Sequence, residues 1–334
     1  MALRLACVGF RHGHITSLYK QATELDYVQI VATVEEDPAA AASILESIEL
    51  EPTYDSIDRM MDEVEFDVLM CGDYYSKRGQ IAIRALEAGK HVLSDKPMCT
   101  DMADLERIKQ LCEQNDLEIQ IALTMRYGTG YQTLVKIMRD GGIGTACSAI
   151  VLGQHPLSYG SRPNWYFEEG KQGGTINDLF IHGTDMMRWA TGQEFRKVIA
   201  AEAWNARADW APFFQDAAQV VYEMSDGTKV MGDCSYLTPE GSPAPWQFFV
   251  WGTEGYVHLC GDTLTWQRAG EGEMPVEMVA EPSGGNCVSD FLSHLANGTE
   301  RWLSMDDCFK AQMAALAGQA AADSGQRDMP VPVV

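Results

Sequence analysis

The sequence predicts an α/β protein with an N-terminal doubly wound parallel sheet and a C-terminal α/β domain carrying a large open, mostly antiparallel sheet. Two observations support this fold class. Short apolar runs alternate with helical segments over residues 3–123, and strand-like runs broken by turn residues dominate residues 197–267. A length of 334 residues also suits two domains of ordinary size.

The N-terminal part alternates between strand and helix from its first residues. The apolar, often β-branched runs expected to be buried strands are Leu3–Val8, Val28–Val34, Phe66–Cys71, His91–Ser94 and Leu117–Leu123. The expected helices are His14–Leu25, Pro38–Ile48, Asp55–Val64, Lys77–Ala88 and Asp101–Gln114. Pro38 suits a first helical turn and Asp101 can cap its helix. This rhythm predicts parallel strands connected by helices.

The pattern changes after residue 123, so we expect domains at 1–123 and 124–334. The second domain begins with a helix over Tyr131–Arg139, a strand over Thr145–Gln154 and a single helix over Gly174–Thr191. Strand-like runs with turns such as Asp226-Gly227 then indicate an antiparallel sheet. The expected last helices are Gly285–Ala296 and Met305–Ser324.

Composition excludes several classes of function. The net charge of −23 would repel a phosphate backbone, so we expect no nucleic-acid partner. Nine cysteines include no C-x-x-C pair, which favours a reducing compartment. The first ten residues lack the pattern of a signal peptide, and no apolar run approaches 18 residues. We therefore expect a cytoplasmic protein without a membrane partner.

The first candidate site is the turn after the first strand, Gly9-Phe10-Arg11-His12-Gly13-His14. A glycine at a strand end followed by a helix N-terminus is typical of a pyrophosphate-binding turn. The G-x-G-x-x-G pattern is incomplete, because Arg11 and His14 stand where glycines are usual. A plain strand-to-helix turn is the alternative, although Arg11 and His12 can themselves donate hydrogen bonds to phosphate.

An acidic run ends the second strand. Glu35 lies 26 residues beyond Gly9, a distance at which an acid binds the adenosine ribose of a dinucleotide. Glu36 and Asp37 follow, with no arginine among them, so a 2′-phosphate would be repelled. These residues favour NAD over NADP, and a solvated acidic turn is the alternative.

Two further groups of residues carry candidate chemistry. Lys96 follows the strand His91–Ser94, at the sheet edge where ligands bind in open α/β folds; a surface-loop lysine is the alternative. Asp178, His182 and Asp185 fall at i, i+4 and i+7 of the expected helix and form one polar stripe. Histidine can take a hydroxyl proton near neutral pH, which favours a catalytic role. The alternative is a His–Asp pair that only stabilises the fold. No cysteine or further histidine recurs at ligand spacing, so we expect no metal.

With these motifs the chain resembles the glucose–fructose oxidoreductase, inositol dehydrogenase and rhizopine-catabolism (Gfo/Idh/MocA) family. The resemblance rests on the first turn, on Ala88-Gly89-Lys90-His91-Val92 with Asp95-Lys96-Pro97, on Arg126-Tyr127, Ile143-Gly144 and Trp165, and on Gly173-Gly174 with Asp178, His182 and Asp185. It implies a Rossmann domain followed by an α/β domain with a large open sheet. It also implies that NAD or, less favoured, NADP is the cofactor. Apolar residues such as Phe248, Val250 and Trp251 fall on both faces of the expected antiparallel sheet, so we expect a homo-oligomer packed through that sheet, a homodimer or homotetramer as is frequent in the family.

The resemblance implies roles for individual residues. Lys96 matches the lysine of the family's Glu-Lys-Pro motif, Asp178 and His182 match its catalytic carboxylate and acid/base, and Glu35 matches its ribose-binding acid. Asp95 departs from the family's glutamate, and Thr124 stands where asparagine is common. The segment Asp73-Tyr74-Tyr75-Ser76-Lys77-Arg78 replaces the usual Thr-Pro-Asn-x-x-His, so Asp73 is a candidate cofactor contact.

The resulting hypothesis is reversible oxidation of a secondary alcohol on a carbohydrate or cyclitol. His182 would take the hydroxyl proton, and Lys96 and Asp178 would position the oxygen. Candidate pocket residues able to stack on or hydrogen-bond a sugar are Arg126, Tyr127, Arg162 and Trp165. Two alternatives remain: a hydrolase or lyase that oxidises transiently and regenerates NAD, and a ligand sensor without catalysis.

Overall fold

The computed structural model describes residues 2–279 and 284–332, and the chain divides into two compact units. The first unit comprises Met1–Ala122 and Gly284–Met305. The second comprises Leu123–Ser283 and Asp306–Val334. One boundary therefore falls beside the expected residue 123, but the structure assigns Gly284–Met305 to the first unit instead of the second.

The first unit contains a five-stranded parallel sheet of strand order β2-β1-β3-β4-β5. The strands are β1 (Leu3–Val8), β2 (Val28–Val34), β3 (Val68–Cys71), β4 (His91–Ser94) and β5 (Ile119–Ile121). The helices between them are α1 (Gly13–Thr23), α2 (Pro38–Ile48), α3 (Ile57–Glu63), α4 (Tyr75–Glu87) and α5 (Met102–Asn115). The doubly wound parallel sheet is confirmed, and Asp101 caps α5 as expected by accepting from the Ala103 N–H at 2.7 Å.

The second unit contains a nine-stranded sheet of order β13-β12-β11-β10-β6-β9-β8-β7-β14. Its strands are β6 (Ala146–Pro156), β7 (Phe195–Trp204), β8 (Ala217–Met224), β9 (Lys229–Thr238), β10 (Gln247–Gly252), β11 (Gly255–Cys260), β12 (Thr263–Arg268), β13 (Gly272–Glu273) and β14 (Met329–Pro330). The described residues after β5 also form the α-helices α6 (Thr129–Arg139), α7 (Ile181–Thr191), α8 (Cys287–Asn297) and α9 (Met305–Ser324). Among the described strands, β6 and β9 form a parallel pair and the other neighbours are antiparallel, which confirms the mostly antiparallel sheet.

Helix α8 explains why the chain returns to the first unit. Its apolar residues Val288 and Phe291 are fully buried, and the helix packs against α1 and β1. The side-chain amide of Gln120 donates to the carbonyl of Cys287 at 2.6 Å. A local sequence pattern shows the apolar face of α8 but does not show which sheet that face covers.

The helix expected over residues 174–191 is not regular. Residues Ile176–Phe180 form a π-helical turn, and α7 continues from there. Asp178 lies in the π turn and His182 and Asp185 lie in α7, so the three residues do not follow the regular i, i+4, i+7 spacing of one α-helix. Each of the two carboxylates has its own partners within the second unit.

One face of the large sheet is only partly covered. On β10, Phe248 and Val250 are fully buried, whereas Trp251 is 39% exposed and stacks with the half-buried Phe249 at 6.0 Å between ring centres. Met231 of β9 is also exposed. Among the described residues, no helix has the length and apolar character needed to cross a membrane.

Candidate active site

The turn between β1 and α1 requires a glycine at its first position and leads directly into a helix N-terminus. Gly9 has a φ of +72°, and a Cβ atom built on it would lie 2.6 Å from Cβ of Asp73. Only glycine fits this position without displacing its neighbour. Helix α1 begins at Gly13 with no side-chain hydrogen bond at its cap and no acid in its first turn. These features suit an anion at the helix N-terminus.

Glu35 ties the end of β2 to this turn. Its carboxylate is 3% exposed and accepts from the backbone N–H of Phe10 at 2.6 Å and from Nε of Arg11 at 2.7 Å. Nη1 of Arg11 also lies 3.1 Å from Asp37. Burial raises the pKa of Glu35 despite these donors. The sequence placed no arginine among the acids, but the fold brings Arg11 between two of them.

Asp95 is the centre of a buried cluster in the first unit. It lies 2.9 Å from Nη2 of Arg78, 3.0 Å from Nδ1 of His12 and 3.2 Å from Nδ1 of His14, and it accepts from the Lys96 N–H at 2.8 Å. Burial raises the pKa of Asp95, but the charges of Arg78 and His14 outweigh burial and hold the pKa well below its usual range. Burial lowers the pKa of His12 to about 4, so this imidazole is neutral near pH 7.

The same three side chains also satisfy the distance requirement of a metal site. The candidate ligand atoms of His12, His14 and Asp95 lie within 4.8 Å of one another. Imidazole and carboxylate are suitable ligands for a transition metal. However, Arg78 and the Lys96 N–H already bind the two oxygens of Asp95, and the guanidinium would repel a cation. Hydrogen bonding therefore accounts for this geometry.

Arg78 of α4 also fixes the segment that carries Lys96. Its guanidinium, fully buried, donates to the carbonyl of Lys96 at 2.5 Å and to that of Asp73 at 2.7 Å. Lys96 is 4% exposed, and its Nζ lies 6.0 Å from the centre of the Tyr75 ring. From the sequence, Arg78 is recognisable only as part of the variant segment 73–78. The sequence feature that could have identified Arg78 as a buried residue is its position as a cation on the otherwise apolar face of α4.

Asp178 is held by donors in the second unit. This carboxylate is 1% exposed, and its Oδ2 accepts hydrogen bonds from the hydroxyl of Tyr236 and, at 3.5 Å, from the amide of Gln172. Burial, followed by the charge of Asp178, raises the pKa of Tyr236 well above its ordinary value. The phenol therefore stays protonated and acts as a donor. Sequence reasoning missed Tyr236, whose signal was a tyrosine at an inward position of a strand.

His182 lies in the first turn of α7, four residues after Asp178. Its side chain is buried, and its ring meets Trp246 edge to face at 5.6 Å between ring centres. Arg162 is stacked over Tyr236 with its Cζ 4.8 Å from the ring centre, and its Nε donates to the carbonyl of Leu157 at 2.7 Å. Arg162, one of the expected pocket residues, thus lies beside the tyrosine that binds Asp178.

The other three expected pocket residues are buried in packing contacts. Arg126 is 1% exposed, with Nη2 2.6 Å from Asp185 and Nη1 3.0 Å from Asp307. This pairing favours a structural role for Arg126 over the substrate contact expected from the sequence, and it gives Asp185, expected in the polar stripe, a buried partner. Trp165 packs against Tyr166 at 4.3 Å between ring centres, and Tyr127 is likewise buried.

Two protein-family models match this sequence, one over the parallel sheet of the first unit and one over part of the large sheet of the second unit. Residues 3–123 match the model described as an oxidoreductase family with an NAD-binding Rossmann fold, and residues 131–258 match the GFO/IDH/MocA C-terminal domain. The chain belongs to the Gfo/Idh/MocA family of oxidoreductases. Membership confirms the resemblance drawn from the sequence and identifies the first unit as an NAD-binding Rossmann domain.

Two relatives have names that state a polyol or a sugar as the compound on which they act. Inositol 2-dehydrogenase 3 from Saccharopolyspora erythraea is 23% identical over 236 residues, which cover 69% of this chain and 65% of that protein. D-apiose dehydrogenase from Paraburkholderia graminis is 22% identical over 77% of this chain and 67% of its own length. The chain thus spans about two thirds of the length of these relatives.

Solved structures show the same fold over nearly the whole chain. Myo-inositol 2-dehydrogenase from Lactobacillus plantarum has a TM-score of 0.78 at 22% identity, covering 98% of this chain and 100% of that one. The WlbA dehydrogenase from Bordetella pertussis, in complex with NADH and UDP-GlcNAcA, has a TM-score of 0.83 at 18% identity, covering 100% and 99%. At these identities the likeness establishes the fold.

Proposed function

We propose that this family member reversibly oxidises a secondary alcohol of a sugar, cyclitol or sugar derivative, with NAD as the cofactor. The observation that supports the proposal most is the buried carboxylate of Asp178, which accepts from the protonated hydroxyl of Tyr236 and precedes His182 by four residues. A fixed carboxylate and an imidazole in one segment are the groups that alcohol deprotonation requires.

The residues of the first unit fit a dinucleotide. Gly9 adopts the positive φ of this turn, α1 carries no side-chain hydrogen bond at its cap, and Glu35 is fixed beside them. A 2′-phosphate near Glu35 and Glu36 would meet two carboxylates, which supports NAD over NADP. When bound, NAD supplies the acceptor for the hydride that leaves the alcohol carbon.

The proposed roles follow from the environment of each side chain. His182 accepts the proton of the substrate hydroxyl as the carbonyl forms, and the carbon loses a hydride in the same step. Asp178 accepts a hydrogen bond from the substrate and orients it, while Tyr236 fixes the carboxylate. Lys96 in the first unit remains a predicted catalytic residue on the strength of the family motif, and Arg162 remains a predicted substrate contact.

Net hydride transfer tests the proposal. Purified protein is incubated with NAD and a panel of myo-inositol, aldoses and glycosides, and absorbance at 340 nm is followed together with product formation. A dehydrogenase accumulates NADH in step with a ketone or lactone. Product without accumulated NADH would instead support a hydrolase or lyase with transient oxidation. Binding of sugars without any product would support a sensor, and either outcome would contradict the proposed reaction.

A further inference from the structure

Three loops of the second unit enclose a cleft that the proposed reaction does not use. They follow β6, β7 and β9, and the cleft has a volume of about 240 Å³. Its lining includes Tyr159, Arg207, Trp210, Tyr236 and Glu240. The volume is below the usual range of roughly 300–1,000 Å³ for drug-sized ligands, so the cleft suits a single small ring.

A continuous row of aromatic rings runs from this cleft to the proposed catalytic carboxylate. The ring centres of Tyr159 and Trp210 are 4.4 Å apart, and those of Trp210 and Phe167 are 4.7 Å apart. Phe214 lies 5.2 Å from Phe167 and 5.2 Å from Tyr236. Tyr236 is the residue whose hydroxyl donates to the carboxylate in the π turn. The cleft and the carboxylate thus share one side chain.

The rings at the outer end of this row are exposed and yet fixed in place. Tyr159 is 69% exposed and Trp210 is 47% exposed. The loop that carries Trp210 is anchored by Asp216, which accepts from three consecutive backbone N–H groups of residues 206–208. The loop that carries Tyr159 is tied by the Ser158 N–H to the carboxylate of Glu240. Exposed rings on anchored loops indicate a binding surface.

The polar groups of the cleft favour a neutral sugar ring. A pyranose presents C–H groups on its faces, which pack on aromatic rings, and hydroxyls at its edge, which need donors and acceptors. Arg207 can donate to these hydroxyls and Glu240 can accept from them. The three charged lining residues, Arg207, Asp216 and Glu240, carry two negative charges against one positive charge, which disfavours a phosphate.

We propose that this cleft is a second sugar subsite. It binds a pyranose linked to the ring whose alcohol reacts beside Asp178 and His182, so the preferred substrate is a disaccharide or glycoside instead of a free monosaccharide. The inference rests on the proposed function, because it assigns the substrate class of that same site. The stacking surface is formed by Trp210 and Tyr159.

Kinetics with one-ring and two-ring sugars test the subsite. D-glucose is compared with cellobiose, maltose and lactose in the wild type, Trp210→Ala and Tyr159→Ala. Phe213→Ala is the matched control, because Phe213 is 58% exposed on the same loop and does not line the cleft. Loss of one stacked ring predicts a roughly 2- to 12-fold rise in KM for the favoured disaccharide, with KM for glucose unchanged. Phe213→Ala leaves both unchanged.

Binding measurements separate failure of the subsite from failure of the reaction. Saturation-transfer NMR with the same sugars, and with UDP-glucose as an anionic probe, requires no turnover. Disaccharide binding that depends on Trp210 supports the subsite even when no sugar is oxidised. Equal effects on one- and two-ring sugars, or no Trp210-dependent disaccharide binding, overturn it. A Trp210→Ala protein that loses its oligomeric state by light scattering while sugar binding is unchanged assigns the rings to a protein interface, which also overturns it.

Discussion

The hydroxyl of Tyr236 donates a hydrogen bond to Oδ2 of Asp178, and both side chains are buried in the second unit. The donor comes from β9 of the large sheet and the acceptor from the π turn before α7. The sheet therefore fixes the orientation of a carboxylate that the helix alone would leave free to rotate. This dependence makes Tyr236 a positioning residue whose role can be measured.

Tyr236→Phe is expected to lower turnover by about 10-fold or more, because a hydrogen bond to a charged group typically contributes roughly 1.5–3 kcal/mol. The measurement is kcat for oxidation of the best sugar or cyclitol. The matched control is Tyr222→Phe, since Tyr222 is a buried tyrosine of β8 that donates to the Ala314 carbonyl at 2.9 Å. Both variants lower the melting temperature, but only Tyr236→Phe lowers kcat. Equal turnover in the two variants contradicts the positioning role.

The free energy of unfolding should depend on pH through His12, whose Nδ1 lies 3.0 Å from Asp95 in the buried cluster. Burial lowers the pKa of His12 to about 4, below its ordinary 6.5, so the unfolded chain binds more protons than the folded chain between these values. Stability therefore rises with pH across this window and falls as the pH drops from 6.5. The expected loss is about 1.5 kcal/mol between pH 6.5 and pH 5.

Thermal melting of the wild type and His12→Gln over pH 5 to 8 checks this expectation. The variant should show a shallower acid decline, because glutamine does not titrate. His258→Gln is the comparison variant in β11 of the other unit: burial also lowers the pKa of His258, but this imidazole is less buried than His12, so its loss should change the acid decline less. Parallel melting curves for wild type and His12→Gln would show that His12 does not cause the decline.

Much of the first unit could be predicted from local sequence because its signals are local. β2 and α2 begin and end at the expected residues: the β-branched run Val28–Val34 favours a strand, and Asp37 accepts from two N–H groups at the start of α2 while Pro38 stands at its first position. The return of α8 to the first unit depends on which apolar faces meet. Contacts between segments that are far apart in the sequence cannot be predicted from the local pattern of apolar residues.

In the candidate active site, too, single residues could be proposed from local sequence, whereas contacts between distant segments could not. Glu35, Asp178 and His182 were proposed from residue type and spacing, with the family resemblance implying their roles, and the structure buries all three. Arg126 and Asp185 appeared as unrelated candidates, because their ion pair joins segments 59 residues apart. The π turn was not predictable from helical periodicity, and it places Asp178 outside the regular α-helix that contains His182. The role proposed for Tyr236 could be inferred only from the structure, in which strand β9 places its hydroxyl against Asp178.

The acidic residues at the end of β2 are expected to determine whether the protein prefers NAD or NADP. NAD is expected to bind more tightly than NADP, because a 2′-phosphate near Glu35 and Glu36 would experience like-charge repulsion. Calorimetry with both cofactors gives the ratio of dissociation constants, and Glu35→Gln should reduce it. Tighter binding of NADP by the wild type would instead show that Arg11, which lies 2.7 Å from Glu35 and 3.1 Å from Asp37, recognises the phosphate.

The partly covered face of the large sheet predicts a homo-oligomer. Trp251 and Met231 are 39% and 42% exposed on neighbouring parts of this sheet, and the half-buried Phe249 lies beside Trp251. We expect Trp251→Glu to shift the mass measured by light scattering toward the monomer, because a charge on an apolar contact surface opposes its burial. Leu45→Glu is the control, since Leu45 is 50% exposed on α2 of the first unit. A monomeric wild type at micromolar concentration contradicts this prediction.

Replacement of His182 tests the assignment of the acid/base. General acid–base catalysis typically contributes about 10²- to 10⁴-fold, so His182→Asn is expected to lower turnover by that factor. NAD affinity should stay nearly unchanged, because His182 belongs to the second unit and the Rossmann domain to the first. His258→Asn serves as the control, because His258 stacks on Phe249 in the sheet and has no proposed role in the reaction.

Melting temperature and turnover measured on the same preparation separate catalysis from packing. If His182 were only a structural residue beside Trp246, the Asn variant would melt several degrees lower while its folded fraction kept full activity. The catalytic role predicts the reverse: a modest change in melting temperature with a large loss of turnover. Full turnover in well-folded His182→Asn protein would remove the acid/base from the proposed reaction, and Asp178 alone would not account for deprotonation of an alcohol, since the ordinary pKa of a carboxylate is about 4.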